Sequence, residues 1–142
     1  MFIGEYTYSI DQKGRVALPA KFRKDLADGC VVTRGLDKSL FLYPIAEWQK
    51  IASKLAALPL TSPKARAFTR LMLAGAMDVE LDKQGRITIP VYLREFAQIE
   101  KSLVIAGLYD RLEVWSERAW KDYRDKTEKD EEFAENLNDL GI

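Results

Sequence analysis

The sequence predicts a mainly β, mixed α+β fold in which two tandem copies of one small unit pack as a pseudo-symmetric pair. Two observations carry this reading. The segment from Asp11 to Arg23 recurs from Asp82 to Arg94, with the aspartate, glycine, first arginine, proline and later arginine all at an offset of 71 residues. Further on, Gly35-Leu36, Leu40 and Trp48 return as Gly107-Leu108, Leu112 and Trp120 at an offset of 72, a one-residue length change. A hairpin-plus-helix unit this short has too few apolar residues for a core of its own, so the two copies are expected to share one, with interleaved hairpins.

Each copy reads alike along the chain. Thr7 to Ile10 and Asp78 to Leu81 are apolar-polar alternations expected to be strands. Asp11 and Asp82 suit Asx-turns, and Gly14 and Gly85 can take the left-handed conformation that closes such a turn. Val16 to Leu18 and Ile87 to Ile89 read as short strands, ended by Pro19 and Pro90 at the first position of a short helix. Cys30 to Thr33 with Leu40 to Tyr43, and Leu103 to Ala106 with Leu112 to Trp115, complete the strands of each half. Ile45, Trp48, Ile51, Ala52, Leu55 and Leu58 recur at helical spacing until Pro59 stops the helix. Ser62-Pro63 then opens a second helix through Leu73 before Gly75, and Ser116-Glu117 opens a corresponding helix containing Trp120 and Tyr123. Beyond Lys126 a frayed helix or disordered tail is expected. The division expected from these elements is a first unit over 1–58, a connecting helix over 59–75, a second unit over 76–125 and an acidic tail over 126–142.

Composition removes whole classes of chemistry. The 142 residues include no histidine and one cysteine. Histidine-based nucleophilic relays and proton shuttles are thereby excluded, as are a His-bearing zinc site, an intrachain disulfide and a Cys-x-x-Cys knuckle. No glycine-rich phosphate loop or metal-ligand spacing stands out, so neither an enzyme nor a cofactor is expected. The lone cysteine favours a reducing, cytoplasmic setting. The amino terminus lacks the pattern of a signal peptide, and no apolar run approaches the roughly 18 residues that would suggest membrane insertion.

Net charge is misleading when summed over the chain. Lysine plus arginine number 22 and aspartate plus glutamate 22, a formal charge of zero that argues superficially against a nucleic-acid partner. Residues 1–74, however, hold 12 basic against 6 acidic residues, and residues 75–142 hold 10 against 16. Within the second half, the segment from Asp125 onward contributes 7 acidic residues against Lys126 and Lys129. The basic half is suited to an anionic partner, whereas the tail reads either as a solvated helix end or as a shield for a basic face.

With its two Asp-x-x-Gly-Arg motifs, its Met1-Phe2-Ile3-Gly4 start and its Leu42-Tyr43-Pro44 and Glu47-Trp48 surroundings, nearly the whole chain resembles the MraZ family of bacterial transcriptional regulators, built from two AbrB-like units. The resemblance implies an AbrB-like, swapped-hairpin β-barrel and a ring-shaped homo-oligomer, an octamer or similar. It further implies repression through direct repeats in double-stranded promoter DNA upstream of the division and cell-wall gene cluster, which includes the regulator's own gene, and a nucleoid-associated location. Carried over residue by residue, it places DNA binding on Asp11, Gly14 and Arg15, and on Asp82, Gly85 and Arg86. The surrounding cations extend the candidate set to Lys13, Lys21 and Arg23 in the first copy and Lys83 and Arg94 in the second. The first motif is the more basic and is the expected base reader.

The residue types suit that work. An arginine just after a tight turn can offer two donors to guanine O6 and N7, while neighbouring lysines set register on phosphates without reading sequence. Competing readings exist for each feature. Asp11 and Arg15 flank one turn and can form a local ion pair that fixes the hairpin. Trp48 and Trp120 read as core or interface anchors rather than base-stacking platforms, and Cys30 as a small buried residue. At the level of function, the alternative is an AbrB-like antitoxin or protein-interaction module whose acidic tail engages a partner.

Overall fold

The computed structural model describes residues 1–141; Ile142, the last residue of the expected acidic tail, lies outside them. The expected mixed α+β class is found, with the strands of the two copies exchanged. β1 (Phe2–Ser9), β2 (Arg15–Ala17), β3 (Cys30–Arg34) and β4 (Leu40–Pro44) come from the first copy. The second supplies β5 (Met77–Val79), β6 (Arg86–Thr88), β7 (Ser102–Tyr109) and β8 (Leu112–Ser116). Six of these form one antiparallel sheet in the order β1-β7-β8-β4-β3-β5, so each copy's first strand pairs with a hairpin of the other. β2 and β6 form a separate two-stranded ribbon.

The expected closed barrel is not formed. β2 and β6 are three residues each, bounded by a glycine turn and by Pro19 or Pro90, and they pair only with one another. Strands this short leave no ladder with which to reach the sheet edges at β1 and β5. Strand limits also differ from expectation. β1 starts at Phe2 rather than Thr7 because the eight-residue β7 supplies partners from Ser102 through Tyr109. The ribbon strands begin one residue early, at the arginines, because the Asx-turn holds each arginine N–H in the closing hydrogen bond.

Short helices follow the prolines: a 3-10 turn at Ala20–Phe22 leads into α1 (Arg23–Leu26). α2 (Ile45–Ala56) ends two residues short of Leu58. α3 (Pro63–Thr69) is capped by Ser62, whose Oγ accepts from Ala65 N at 3.2 Å, and runs into a π-helical turn at Arg70–Ala74. α4 (Val91–Phe96) follows Pro90. α5 (Glu117–Lys129) is capped by Ser116, and the acidic segment beyond it contains a 3-10 helix at Glu135–Leu140. Among the described residues no helix is long and apolar enough to cross a membrane.

One core lies between the sheet and the ribbon. Val16, Leu18, Phe22 and Leu26 from the first copy meet Ile87, Ile89, Leu93 and Ala97 from the second, over Leu40, Leu42, Leu103, Ile105, Leu112 and Val114. A smaller cluster on the far face packs Phe41 and Tyr43 against Leu55 and Met72, with Trp48, Ile51, Phe68 and Leu73 around it. Tyr43 and Trp48 lie 5.9 Å apart, and their repeat equivalents Trp115 and Trp120 lie 5.5 Å apart, so both tryptophans are packing anchors. Cys30 is 1% exposed, and burial pushes its thiol up to about 12, leaving it protonated and inert.

Because Leu18 and Ile89 are both fully buried at equivalent places where ribbon meets core, Leu18→Ala and Ile89→Ala should each lower stability by about 2–5 kcal/mol. Equilibrium denaturation reads this directly. Similar losses for the two are expected, since neither copy has an independent core.

Candidate nucleic-acid interface

Each Asp-x-x-Gly-Arg segment folds into the same closed turn. In the first, Gly14 N donates to the Asp11 carbonyl at 3.0 Å and Asp11 N donates to the Arg15 carbonyl at 3.0 Å. The Asp11 carboxylate is gripped from several directions: Oδ1 accepts from Lys13 N at 3.0 Å and Arg15 N at 2.9 Å, and Oδ2 accepts from Arg15 Nε at 2.6 Å. The second turn repeats this, with Asp82 Oδ1 accepting from Gln84 N and Arg86 N at 2.9 Å and Oδ2 from Arg86 Nε at 2.8 Å. These are the Asx-turns expected of the motif. The local ion pair is therefore present in both copies.

That pairing leaves the arginines chemically competent. Only Nε faces the aspartate, and among the described residues no hydrogen bond engages the terminal nitrogens of Arg15 or Arg86. Both side chains remain about one-third exposed. The carboxylate holds the planar fork by its inner nitrogen while the two outer nitrogens, the pair suited to guanine O6 and N7, are available. Backbone hydrogen bonds from Arg15 and Arg86, acting with the guanidinium groups and against some desolvation, hold the Asp11 and Asp82 carboxyls below the ordinary value of 3.8. Both are ionised at neutral pH.

The ribbon places the two motifs together. Its register sets Arg15 opposite Thr88, Val16 opposite Ile87 and Ala17 opposite Arg86. Val16 and Ile87 point into the core, each 1% exposed. Alternation then puts Arg15, Ala17, Arg86 and Thr88 on the outer face, with the two arginines as diagonal neighbours roughly 7–8 Å apart at the backbone. The arginines stand 71 positions apart in the sequence, and Thr88 and Ala17, which complete this face, belong to neither motif's candidate set. The signal was present as period-two alternation, but the cross-copy register was needed to use it.

Other candidate residues take different places. Lys13 and Lys83 are exposed on the two turns. Lys21 is exposed too, its ammonium 5.1 Å from the Tyr6 ring centroid and 5.2 Å from that of Phe22. Arg23 and Arg94 are not simple surface cations. Arg23 Nε donates to the Leu18 carbonyl at 3.0 Å, and Arg94 Nε donates to the Ile89 carbonyl at 2.9 Å. The Arg23 guanidinium lies against Gly85 in the other copy's turn, and the Arg94 guanidinium lies against Gly14. A Cβ at Gly14 would sit 2.8 Å from Arg94 Nε and 2.7 Å from the Ile89 carbonyl oxygen. With φ at +84° and +74°, Gly14 and Gly85 meet two demands at once: a left-handed backbone and close approach of the opposite copy's arginine.

Two outcomes follow for the turns. Gly14→Ala and Gly85→Ala should each destabilise the fold by about 1–3 kcal/mol, measured by denaturant titration, from backbone strain plus displacement of the opposing arginine. For pH, a carboxyl whose folded value lies below its unfolded value adds stability that is fully present above about 3.8 and is lost as pH falls through the depressed folded value. The stability gap between wild type and the Asp11→Asn, Asp82→Asn double variant should accordingly be constant near neutrality and narrow below about pH 4. A gap that widens in acid would contradict the assignment.

The sequence that folds into these two equivalent turns has clear relatives. A family model described as "MraZ protein, putative antitoxin-like" matches twice, over residues 1–71 and 72–140, one match for each copy of the repeat. Proteins called "Transcriptional regulator MraZ" from Halothermothrix orenii and Thermoanaerobacter sp. (strain X514) are each 52% identical over 143 residues, and one from Caldanaerobacter subterraneus is 50% identical. In all three the alignment covers 100% of both chains. With both halves matched by the family model and full-length relatives at this identity, the chain belongs to the MraZ family.

Proposed function

We propose that this protein is a sequence-specific DNA-binding transcriptional regulator, a repressor, that reads duplex promoter DNA with the outer face of the β2–β6 ribbon. The observation that carries this is the pair of arginines held by their Nε atoms on one face, with the outer nitrogens of each available. A two-stranded ribbon fits the major groove, so both arginines of one protomer can reach neighbouring base edges. Lys13, Lys83 and Lys21 then supply phosphate contacts, each adding roughly 0.9 to the slope of log affinity against log salt. Arg23 and Arg94 act chiefly by bracing the glycine turns. Family membership supports regulation over catalysis, since the relatives are called transcriptional regulators.

The finer proposal is that protomers assemble into a ring that engages tandem direct repeats upstream of the division and cell-wall cluster, including the protein's own gene. One ribbon offers little contact area, whereas linked protomers make later contacts intramolecular and can raise avidity by roughly 10²–10⁴. Head-to-tail repeats suit such a ring better than a palindrome does. The same proposal includes a cytoplasmic, nucleoid-associated location, and units spanning 1–58 and 76–125 joined by 59–75 and followed by the tail over 126–142.

A gel shift on the promoter upstream of the protein's own gene tests the site. Arg15→Ala should weaken binding by roughly 5- to 150-fold per protomer contact, corresponding to about 1–3 kcal/mol for one bidentate base contact. The circular dichroism spectrum and oligomeric mass should be unchanged. Arg86→Ala should produce a loss of the same kind, because both arginines share the face. Wild-type affinity in both variants would remove the ribbon from consideration.

A further inference from the structure

The acidic carboxy-terminal segment and the α2–α3 hairpin are complementary in charge and in shape. Residues 48–77 carry Lys50, Lys54, Lys64, Arg66 and Arg70 and no acidic residue. Lys50 pairs with Glu47, while the other four enter no salt bridge among the described residues. At the hairpin tip Leu60 is 82% exposed, above a cavity of about 160 Å³ lined by Leu55, Leu58 and Pro59, with Arg66 and Arg70 at its rim. Cavities of about 150 Å³ with apolar walls admit a ring the size of benzene.

The tail offers the opposite features. Asp130, Glu131, Glu132, Glu135 and Asp139 surround Phe133 and Leu140, which are 45% and 64% exposed. Its 3-10 helix of six residues follows α5 much as α3 follows α2, but α3 and its π turn bury Met72 against the sheet whereas Glu135–Leu140 buries no residue. A helix so short has little stability of its own in water, so its apolar side chains need a covering surface. Among the described residues its backbone hydrogen bonds run only within the tail and to Thr127, and in this chain the α2–α3 tip remains uncovered. A larger cleft beside α5 is a poorer receptor for an acidic tail, since Glu95, Glu100, Glu117 and Asp122 outnumber Arg94, Lys101 and Arg118 on its lining.

We infer that the acidic tail of one copy docks on the basic, apolar α2–α3 tip of a second copy, with Phe133 or Leu140 entering the cavity and the tail carboxylates facing Arg66 and Arg70. Tip and tail are different surfaces, so each copy keeps one free partner site, and the contact propagates head to tail until it closes. The inference rests on the self-assembly proposed above and is independent of the ribbon's base contacts. The four cations outside salt bridges, of which Arg66 donates from Nη1 to the Leu60 carbonyl at 3.0 Å, also suit a phosphate backbone, but Leu60 and the apolar cavity between them favour a protein segment.

Mixed chains that each carry one added cysteine test the contact, since Cys30 is buried and stays silent. Full-length Thr61→Cys and Asn136→Cys proteins, mixed at low ionic strength under mild oxidation, should form an interchain disulfide at several times the yield of Thr61→Cys mixed with Lys121→Cys. The yield should collapse in 1 M salt, where the screening length is about 3 Å, and in an Arg66→Glu, Arg70→Glu background. Adding Glu131→Lys and Glu132→Lys to the tail should restore it. Yields equal to the control pair overturn the inference, as does cross-linking seen only within one chain carrying both cysteines. Gel shifts run in parallel separate the causes: lost DNA retardation with undiminished cross-linking in Arg66→Glu, Arg70→Glu would assign the tip to nucleic acid and also overturn it. Ribbon variants that lose DNA but keep the cross-link leave it standing.

Discussion

Two backbone hydrogen bonds, one donated by each copy to the other, hold this structure in register. Leu18 N donates to the Gly85 carbonyl at 3.0 Å and Ile89 N donates to the Gly14 carbonyl at 2.8 Å. They tie the end of each short ribbon strand to the glycine turn of the opposite copy. A one-residue slip would turn Val16 and Ile87 to solvent and the arginines into the core, so the register is strongly specified. The outer arginine face, the buried leucine layer beneath it and the close approach of Arg23 and Arg94 to the glycines all depend on that register. An enforced left-handed glycine is what lets the carbonyl, the arginine and the turn share so small a volume.

An approximate twofold relation runs between two matched pairs, Val16 with Ile87 in the ribbon and Phe41 with Glu113 in the sheet. At the ribbon the pair is chemically alike and the two motifs are near copies. At the sheet the equivalence breaks. Glu113 is buried at 8% exposure, accepts from Trp115 Nε1 at 3.0 Å and pairs with Arg111 at 3.1 Å, while Arg111 lies 4.8 Å from the Phe41 ring centroid. A buried carboxylate requires such partners to offset its desolvation. Symmetry is thus kept where the two turns must match and relaxed on the opposite face, where the helices and the tail differ.

The aspartate–arginine pair shows that a local ion pair and an outward-facing donor pair are compatible in one side chain. Its structural role and the proposed recognition role use different nitrogens of one guanidinium, so fixing the turn does not compete with offering donors outward. The aspartate also removes rotamer freedom from the arginine before any partner arrives, lowering the ordering cost of a contact. Zero net charge is likewise compatible with an anionic partner, because the acidic excess is concentrated in the tail and the basic excess in the first half.

By itself the sequence determined the repeat, the mixed α+β class, the turn chemistry at Asp11 and Asp82, the proline stops, the helix caps at Ser62 and Ser116 and the anchoring role of both tryptophans. These are local or periodic properties, encoded in residue type and spacing. Only the tertiary structure decided that β2 pairs with β6 rather than closing a barrel, that Arg15 and Arg86 occupy one face, and that Arg23 and Arg94 brace the opposite copy's glycines. Those outcomes depend on contacts between residues about 70 positions apart. Identical local signals in the two copies are compatible with pairing within a copy or between copies. Burial of one shared core selects the second, because neither copy alone has enough apolar surface to bury.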